Sequence, residues 1–304
     1  MSNAVCAARP LAPASHRPAF KWRPVFDHAI LIAGSAFMLV PVFLAFMTST
    51  HDAVTVHTGG VQALPGGSLI DNYATVMYAT VMFDGLGFSG AVNGTTMMLN
   101  SLILGLGFAV GKIVLSMMAA YAIVYFRFPL AEFAFWAIFV TLLLPLEVRI
   151  LPSYEIVQSM GLINTYTGLI VPLVASATGT FFFRQFFKSV PDELIEAARI
   201  DGAGPLKFFL DILLPLSRTM IAAIFIIMFV YGWNQYLWPT LITTNEEYFT
   251  LVRGIKQIIQ VWVGSQIPEY GQAMALAVLA MLPPVIVVVV FQSWFIKGLT
   301  ESDK

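Results

Sequence analysis

The sequence has little charge and almost no cysteine. Of its 304 residues, 58% are hydrophobic and only 11% are charged, whereas soluble globular domains carry about 25% charged residues. This composition excludes a water-soluble enzyme, and it excludes a disordered chain because disordered segments are poor in apolar residues. The single cysteine, Cys6, excludes a disulfide framework and a cysteine-based metal site. All four histidines precede residue 58, so a His-Glu-x-x-His zinc site further along the chain is also excluded.

Two further absences restrict the cofactors and partners. The formal net charge is −1, so no basic field points to nucleic acid. The chain contains no Gly-x4-Gly-Lys-Ser/Thr phosphate-binding loop. We therefore expect no cofactor, metal or ATP in this chain.

The sequence instead contains long runs of apolar residues. A bilayer core about 30 Å thick requires roughly 20 apolar residues in a helix. Six runs are predicted to span the membrane, at residues 29–47, 95–125, 133–151, 166–183, 220–241 and 273–295. The sequence thus predicts an all-α polytopic membrane protein, with a six-span domain over 29–295 between tails at 1–28 and 296–304.

The basic residues predict the orientation of these spans. Twelve of the sixteen lie in the tails and in the loops that follow the second and fourth spans. The positive-inside rule then places both termini in the cytoplasm. The segment 48–94 is predicted to lie outside and to be irregular, because it is rich in glycine and proline turns.

The segment 184–218 is the one long loop predicted on the cytoplasmic side. Ser189, Pro191 and the acids that follow predict a helix start, and Gly202 with Gly204-Pro205 predicts its end. A second helix is predicted over 206–213. These generic features are equally compatible with a helical hairpin that only connects two spans.

The spacing within this segment resembles the EAA loop of ABC importer permeases. The residues that carry the resemblance are Glu196, Ala197, Ala198, Asp201, Gly202, Ala203, Phe209, Ile212, Leu214 and Pro215. Thr219 departs from the pattern, since a further proline is common there. We refer to residues 184–218 as the EAA loop. The resemblance implies that this loop docks on an ATP-binding subunit, with Glu196 offered to a partner arginine.

Three further segments narrow the resemblance to the maltose-type branch, and within it to permeases for sn-glycerol 3-phosphate. They are residues 144–150, 183–187 and 231–239. The resemblance implies a six-helix permease subunit that forms half of a translocation path across a bacterial inner membrane. It also implies an ATP-binding subunit present as a homodimer, which holds ATP and Mg, a second homologous permease and a periplasmic substrate-binding protein.

Ionisable and amide side chains within spans are costly in free energy to bury in a bilayer. They therefore either line a translocation path or hold neighbouring helices together. We predict the substrate path at Lys112, Glu147, Arg149, Asn234, Gln235 and Trp238. Lys112 and Glu147 fall at similar depth if both spans are continuous helices, so they either pair structurally or line a cationic path suited to phosphate. Asn234 and Gln235 either line the path or bond between helices, and Trp238 fits an aromatic belt at the membrane interface.

Two alternative functions remain open at this point. The chain could serve a neutral sugar or oligosaccharide, or related glycerophosphodiesters, because an external receptor selects much of the cargo. A secondary transporter without an ATPase is the other alternative, although such proteins show paired halves with matching broken helices, which the sequence lacks.

Overall fold

The computed structural model describes residues 22–79, 81–82, 91–126, 128–141, 146–260 and 267–301. The first part of the chain contains three helices, two short strands and a long fourth helix: α1 (Trp22–Thr48), α2 (Ala53–Gly59), α3 (Leu69–Tyr78), β1 (Val81–Met82), β2 (Ala91–Val92) and α4 (Gly94–Tyr125). The middle part contains α5 (Ala131–Val140), α6 (Leu146–Ser159), α7 (Tyr166–Ile170), a 3-10 turn (Val171–Leu173), α8 (Ala177–Lys188) and α9 (Asp192–Ile200). The remainder contains α10 (Pro205–Lys207), a π-helix (Phe208–Leu213), α11 (Leu214–Leu216), α12 (Arg218–Trp233), α13 (Leu237–Ile242), a 3-10 turn (Glu246–Tyr248), α14 (Leu251–Gln260) and α15 (Tyr270–Glu301).

The chain divides into two compact units, residues 1–43 and 44–304. The described part of the first unit is most of α1, which begins at Trp22, inside the segment 1–28 predicted as a tail. Pro41 lies within this helix without ending it.

Within the part of the chain that the structure describes, three helices are long and apolar enough to cross a bilayer: α1, α4 and α15. They confirm the first, second and sixth predicted spans. Two bent pairs also qualify, Tyr166–Leu173 with Ala177–Lys188 at 50° and Pro205–Leu216 with Arg218–Trp233 at 73°. The fourth predicted span is therefore broken at its middle, after the 3-10 turn that contains Pro172.

Within the third predicted span, over 133–151, α5 ends at Val140, where the Thr141 amide donates to the Ile138 and Phe139 carbonyls. The next described helix, α6, extends from Leu146 to Ser159, and residues 142–145 lie outside the described residues. The helix predicted over 133–151 therefore ends early, at Val140. The fifth predicted span, over 220–241, is likewise interrupted, since α12 ends at Trp233 and α13 begins at Leu237.

The prediction of irregular structure over 48–94 is also wrong in part. Two helices, α2 and α3, form there, and β1 pairs antiparallel with β2. The Asp52 carboxylate accepts hydrogen bonds from the Thr55 hydroxyl and amide and begins α2, and these bonds lower the pKa of Asp52. Asn72 donates to the carbonyls of Ser49 and His51, each at 2.8 Å. Short polar side chains thus replace the regular backbone bonding that the turns interrupt.

The second unit is built around α4, which packs against α8 and α12, while α12 also packs against α15. Glycines allow the closest approach of α4 and α12. A Cβ on Gly232 would lie 2.8 Å from the Phe108 Cβ and 3.2 Å from the Gly105 Cα. Small residues at a helix crossing let the backbones approach closely in a membrane. This crossing brings Tyr231 of α12 beside Phe108 of α4.

Candidate functional site

The first helix of the EAA loop is α9, which carries Glu196, Ala197 and Ala198. Its N-cap is Pro191 rather than the predicted Ser189, and Asp192 and Glu193 occupy the first turn, where acids are favourable at the positive end of the helix dipole. Glu196 and Ala197 are exposed, whereas Ala198 is buried. The helix therefore presents a carboxylate and a methyl group to solvent, over a small buried contact.

A left-handed glycine ends α9. Gly202 has φ +71°, and its amide donates to the Arg199 carbonyl at 3.1 Å, while the Ala203 amide donates to the Ala198 carbonyl at 2.9 Å. This pair of bonds is the Schellman motif, in which the left-handed position is usually glycine. Asp201, exposed, precedes it as the C-cap. The sequence prediction that Gly202 ends the helix is confirmed.

The second helix of the EAA loop runs over Pro205–Leu216 and widens to a π-helix over Phe208–Leu213. Ile212, Leu214 and Pro215 are half-buried in it. A regular α-helix would need a Pro215 amide to bond the Asp211 carbonyl, and proline has none. Short π-helical segments inside α-helices are frequent at functional sites.

Two tyrosines at the end of α4 attach the EAA loop to the helix bundle. The Tyr121 hydroxyl donates to the Pro205 carbonyl at 2.8 Å, and the Tyr125 hydroxyl donates to the Phe187 carbonyl at 3.2 Å. The Tyr121 ring also contacts the Phe209 ring, with centroids 5.0 Å apart. A cleft of about 240 Å³ remains between these tyrosines and α9. The sequence analysis missed both tyrosines because nothing local marks a partner more than 60 residues away.

The loop also exposes large apolar side chains. Ile200 is 86% exposed and Leu206 69% exposed, on either side of the glycine turn. Ile200 lies one helical turn after Glu196 on α9, so this face of the helix is partly apolar and partly acidic.

The predicted substrate path has Lys112 at its centre. Its side chain is only 8% exposed, and its Nζ lies 4.8 Å from the centroid of the Phe108 ring and 5.8 Å from that of Tyr231. Aromatic faces attract a cation at such distances, more strongly when water is excluded. Aromatic rings thus surround this ammonium group deep in the bundle.

The remaining charges of the path are Glu147 and Arg149. The Glu147 side chain lies outside the described residues, so its predicted pairing with Lys112 stays a prediction. The depth argument assumed one continuous helix over 133–151, whereas α5 ends at Val140. Arg149 is exposed on α6, and its positive charge repels that of Lys112. Among the side chains that the structure describes, no carboxylate lies within ion-pair distance of Lys112.

Asn234, Gln235 and Trp238 surround the break between α12 and α13. Asn234 is exposed and donates to the Val230 carbonyl at 2.9 Å, while Gln235 is buried and donates to the Tyr231 carbonyl at 3.3 Å. Both amides cap their own helix, so the bonds described for them do not link two helices. Trp238 is 0% exposed, and its Nε1 donates to the Leu169 carbonyl at 3.1 Å. The interfacial-belt interpretation of Trp238 is therefore wrong, since the ring packs in the protein interior.

Comparison with known proteins gives the family. The family of binding-protein-dependent transport system inner membrane components matches residues 112–301, more than half of the chain. The chain belongs to this family. It is 46% identical, over 93% of its length and 99% of the relative's, to the sn-glycerol-3-phosphate transport system permease protein UgpE of Brucella melitensis biotype 1. It is 48% identical, over 92% of its length and 97% of the relative's, to the protein of the same name from Salmonella typhi.

A solved structure has the same fold as this permease. It belongs to a bacterial ABC transporter involved in the import of the acidic polysaccharide alginate. The TM-score is 0.73 at 21% identity, over 94% of this chain and 100% of the other. The expected ABC importer permease fold is confirmed.

Two polar contacts in the permease were not predicted from the sequence. Asn100 of α4 is buried, donates to the carbonyls of Glu247 and Phe249 at 2.7 and 2.9 Å, and accepts from the Tyr166 hydroxyl at 2.7 Å. Arg184 at the start of the EAA loop pairs with Glu132 at 2.6 Å and stacks 3.7 Å from the Phe135 centroid. Each contact joins residues far apart in sequence, so only the assembled fold displays it.

A buried arginine fixes the segment that follows α13. Arg253 donates to the Thr243 carbonyl and hydroxyl and, at 3.2 Å, to the Pro239 carbonyl. Its guanidinium also stacks on Phe249. Burial lowers the pKa of Arg253 to about 10, so the group keeps its charge at neutral pH. We interpret Arg253 as a structural residue.

Proposed function

We propose that the permease forms half of the translocation path of a binding-protein-dependent ABC importer for sn-glycerol 3-phosphate. The observation that carries the proposal is the identity of 46–48% to permeases named for that substrate, which extends over more than nine-tenths of both chains. The protein is not an enzyme itself. A partner ATP-binding subunit, acting as a homodimer, holds ATP and Mg and hydrolyses the ATP. A second homologous permease and a periplasmic binding protein complete the importer in the inner membrane.

The chemistry of the Lys112 site supports an anionic substrate. The Lys112 ammonium group is buried, faces two aromatic rings and is repelled by Arg149. An approaching phosphate group stabilises it, because charge-assisted hydrogen bonds are strong at low dielectric. Lys112 and Arg149 attract the phosphate, and Asn234, exposed one turn beyond Tyr231, offers an amide to its hydroxyl groups. Glu147, Gln235 and Trp238 belong to the walls of the path.

The geometry of the EAA loop supports its coupling to the ATPase. Glu196 is exposed and can pair with a basic group, and Ile200, one turn further along α9, presents apolar area beside it. Leu206 exposes further apolar area after the glycine turn. The Schellman turn at Gly202 fixes the angle at which these side chains leave the bundle. Ala197, Ala198, Asp201, Ala203, Ile212, Leu214 and Pro215 shape the two helices that present this surface. Both termini of the permease then lie in the cytoplasm.

Uptake measurements test this proposal. The permease is expressed with the ATPase, second permease and binding protein of the same bacterium, in a strain that lacks its own glycerol-3-phosphate uptake. We expect ATP-dependent uptake of labelled sn-glycerol 3-phosphate and little uptake of maltose. Lys112→Met should reduce phosphate-ester uptake, and Lys112→Arg, which keeps the charge, should retain most of it.

Three outcomes would contradict the proposal. Uptake of maltose without the phosphate ester would favour the neutral-sugar alternative. Uptake that persists with a catalytically inactive ATPase would favour a secondary transporter. Equal uptake by Lys112→Met and the unchanged permease would show that Lys112 is a packing residue.

A further inference from the structure

The long helix α4 contacts both the Lys112 site and the EAA loop. Lys112 lies on it, and Tyr121 follows nine residues later, which is about 13–14 Å along the helix axis. The Tyr121 hydroxyl donates to the carbonyl of Pro205, the first residue of the second helix of the EAA loop. A single rigid element therefore connects the residue proposed to meet substrate with the loop proposed to meet the ATPase.

We infer that the Tyr121 hydroxyl is a positioning group, which sets the second helix of the EAA loop relative to α4 and so couples ATP use to transport. The inference rests on the proposed function. The Pro205 carbonyl already accepts the Phe208 amide, and its second lone pair is taken by Tyr121. A shift of α4 is thus transmitted to the backbone at the start of that helix rather than to a flexible side chain.

The cleft beside Tyr121 explains why a hydrogen bond has this role. About 240 Å³ of space lies between the two tyrosines and α9, so packing around the buried Ala198 leaves part of the gap between α4 and the first helix of the loop unfilled. Tyr125 holds the Phe187 carbonyl before α9, and Tyr121 holds the Pro205 carbonyl after it. Two hydroxyl groups from one helix face therefore define where α9 and its Glu196 stand.

The test removes one oxygen atom. Tyr121→Phe keeps the ring against Phe209 but loses the bond to Pro205. The matched control is Tyr73→Phe in α3, whose hydroxyl lies 3.1 Å from the Ser49 Oγ and which has no described contact with the EAA loop.

The measured quantity is substrate imported per ATP hydrolysed, by the complete importer in proteoliposomes at matched protein levels. We expect Tyr121→Phe to assemble and to hydrolyse ATP while this ratio falls about fivefold, the change in an equilibrium that one ordinary hydrogen bond produces. Tyr73→Phe should keep the ratio of the unchanged importer.

An unchanged ratio in Tyr121→Phe would overturn the inference. So would an equal fall in Tyr73→Phe, since it would point to general weakening of the fold. Failure of the proposed function is distinguishable, because the unchanged importer would then transport no sn-glycerol 3-phosphate at all.

Discussion

The two glycines that flank Ala203 in the EAA loop permit a matched substitution, Gly202→Ser against Gly204→Ser. At both positions an added Cβ would have no atom within 4 Å, so neither change creates a clash. The backbones differ, since Gly202 has φ +71° and Gly204 has φ −71°. A loss of stability in Gly202→Ser that Gly204→Ser does not share therefore reports the left-handed conformation.

The free-energy cost of Gly202→Ser follows from the left-handed backbone conformation of Gly202. An L-residue held in the left-handed helical region costs roughly 1–2 kcal/mol. The ratio of formed to unformed turn then falls by about 5- to 30-fold in Gly202→Ser. Gly204 is the N-cap of α10, where serine is preferred over glycine, so Gly204→Ser should leave the loop unchanged or slightly more stable. Gly202→Asn should recover part of the loss, because asparagine tolerates positive φ.

Hydrogen exchange measures the turn directly. The Ala203 amide, which donates to the Ala198 carbonyl at 2.9 Å, should exchange about 5- to 30-fold faster in Gly202→Ser, since exchange follows local opening. Retention of the ATPase during purification should fall by no more than this factor. Equal exchange rates in Gly202→Ser and Gly204→Ser would refute the conformational argument.

Three further predictions concern other parts of the permease. Glu196→Lys should weaken binding of the ATPase by roughly 30-fold or more, because it reverses an interfacial charge, whereas Glu155→Lys on α6 should not; equal co-purification of the ATPase with both would contradict this. Reporter fusions after Lys304 should report a cytoplasmic C-terminus, and fusions within 59–67 an external loop. Trp238→Phe should lower the thermal midpoint in detergent because it leaves the Leu169 carbonyl unpaired, at about 1–3 kcal/mol.

Local features of the EAA loop were predictable from the sequence because their causes are local. Gly202 ends α9, and Gly204-Pro205 begins the next helix, through bonds that span no more than five residues. The π-helix over Phe208–Leu213 was not predicted, although Pro215 provided the local cause.

The positions of several spans were predictable, but their continuity was not. Pro283 and Pro284 lie inside the unbroken α15, yet the fourth span bends by 50° after the 3-10 turn that contains Pro172. Whether a proline breaks a membrane helix depends on what neighbouring helices offer the freed carbonyl groups, and that information is tertiary. The depth assigned to Glu147 and Arg149 assumed a helix that continues beyond Val140, where α5 ends.

The contacts of buried polar groups were the least predictable features. Asn100 bonds residues 147 and 149 positions away, and Trp238 bonds a carbonyl 69 positions away. Composition indicated that Lys112 was unusual, but only the crossing of α4 and α12 placed it against Phe108 and Tyr231.

The length of α4 makes the permease sensitive to its lipid surroundings. Its 32 residues extend about 48 Å, against a hydrocarbon thickness of about 30 Å, and helices accommodate such excess by tilting. Near one end Asn100 is bonded to backbone carbonyls, and near the other Tyr121 is bonded to Pro205. A thicker or thinner bilayer therefore changes the tilt of a helix that is held near both ends. A change in lipid acyl-chain length thus changes the position of the EAA loop through the tilt of α4.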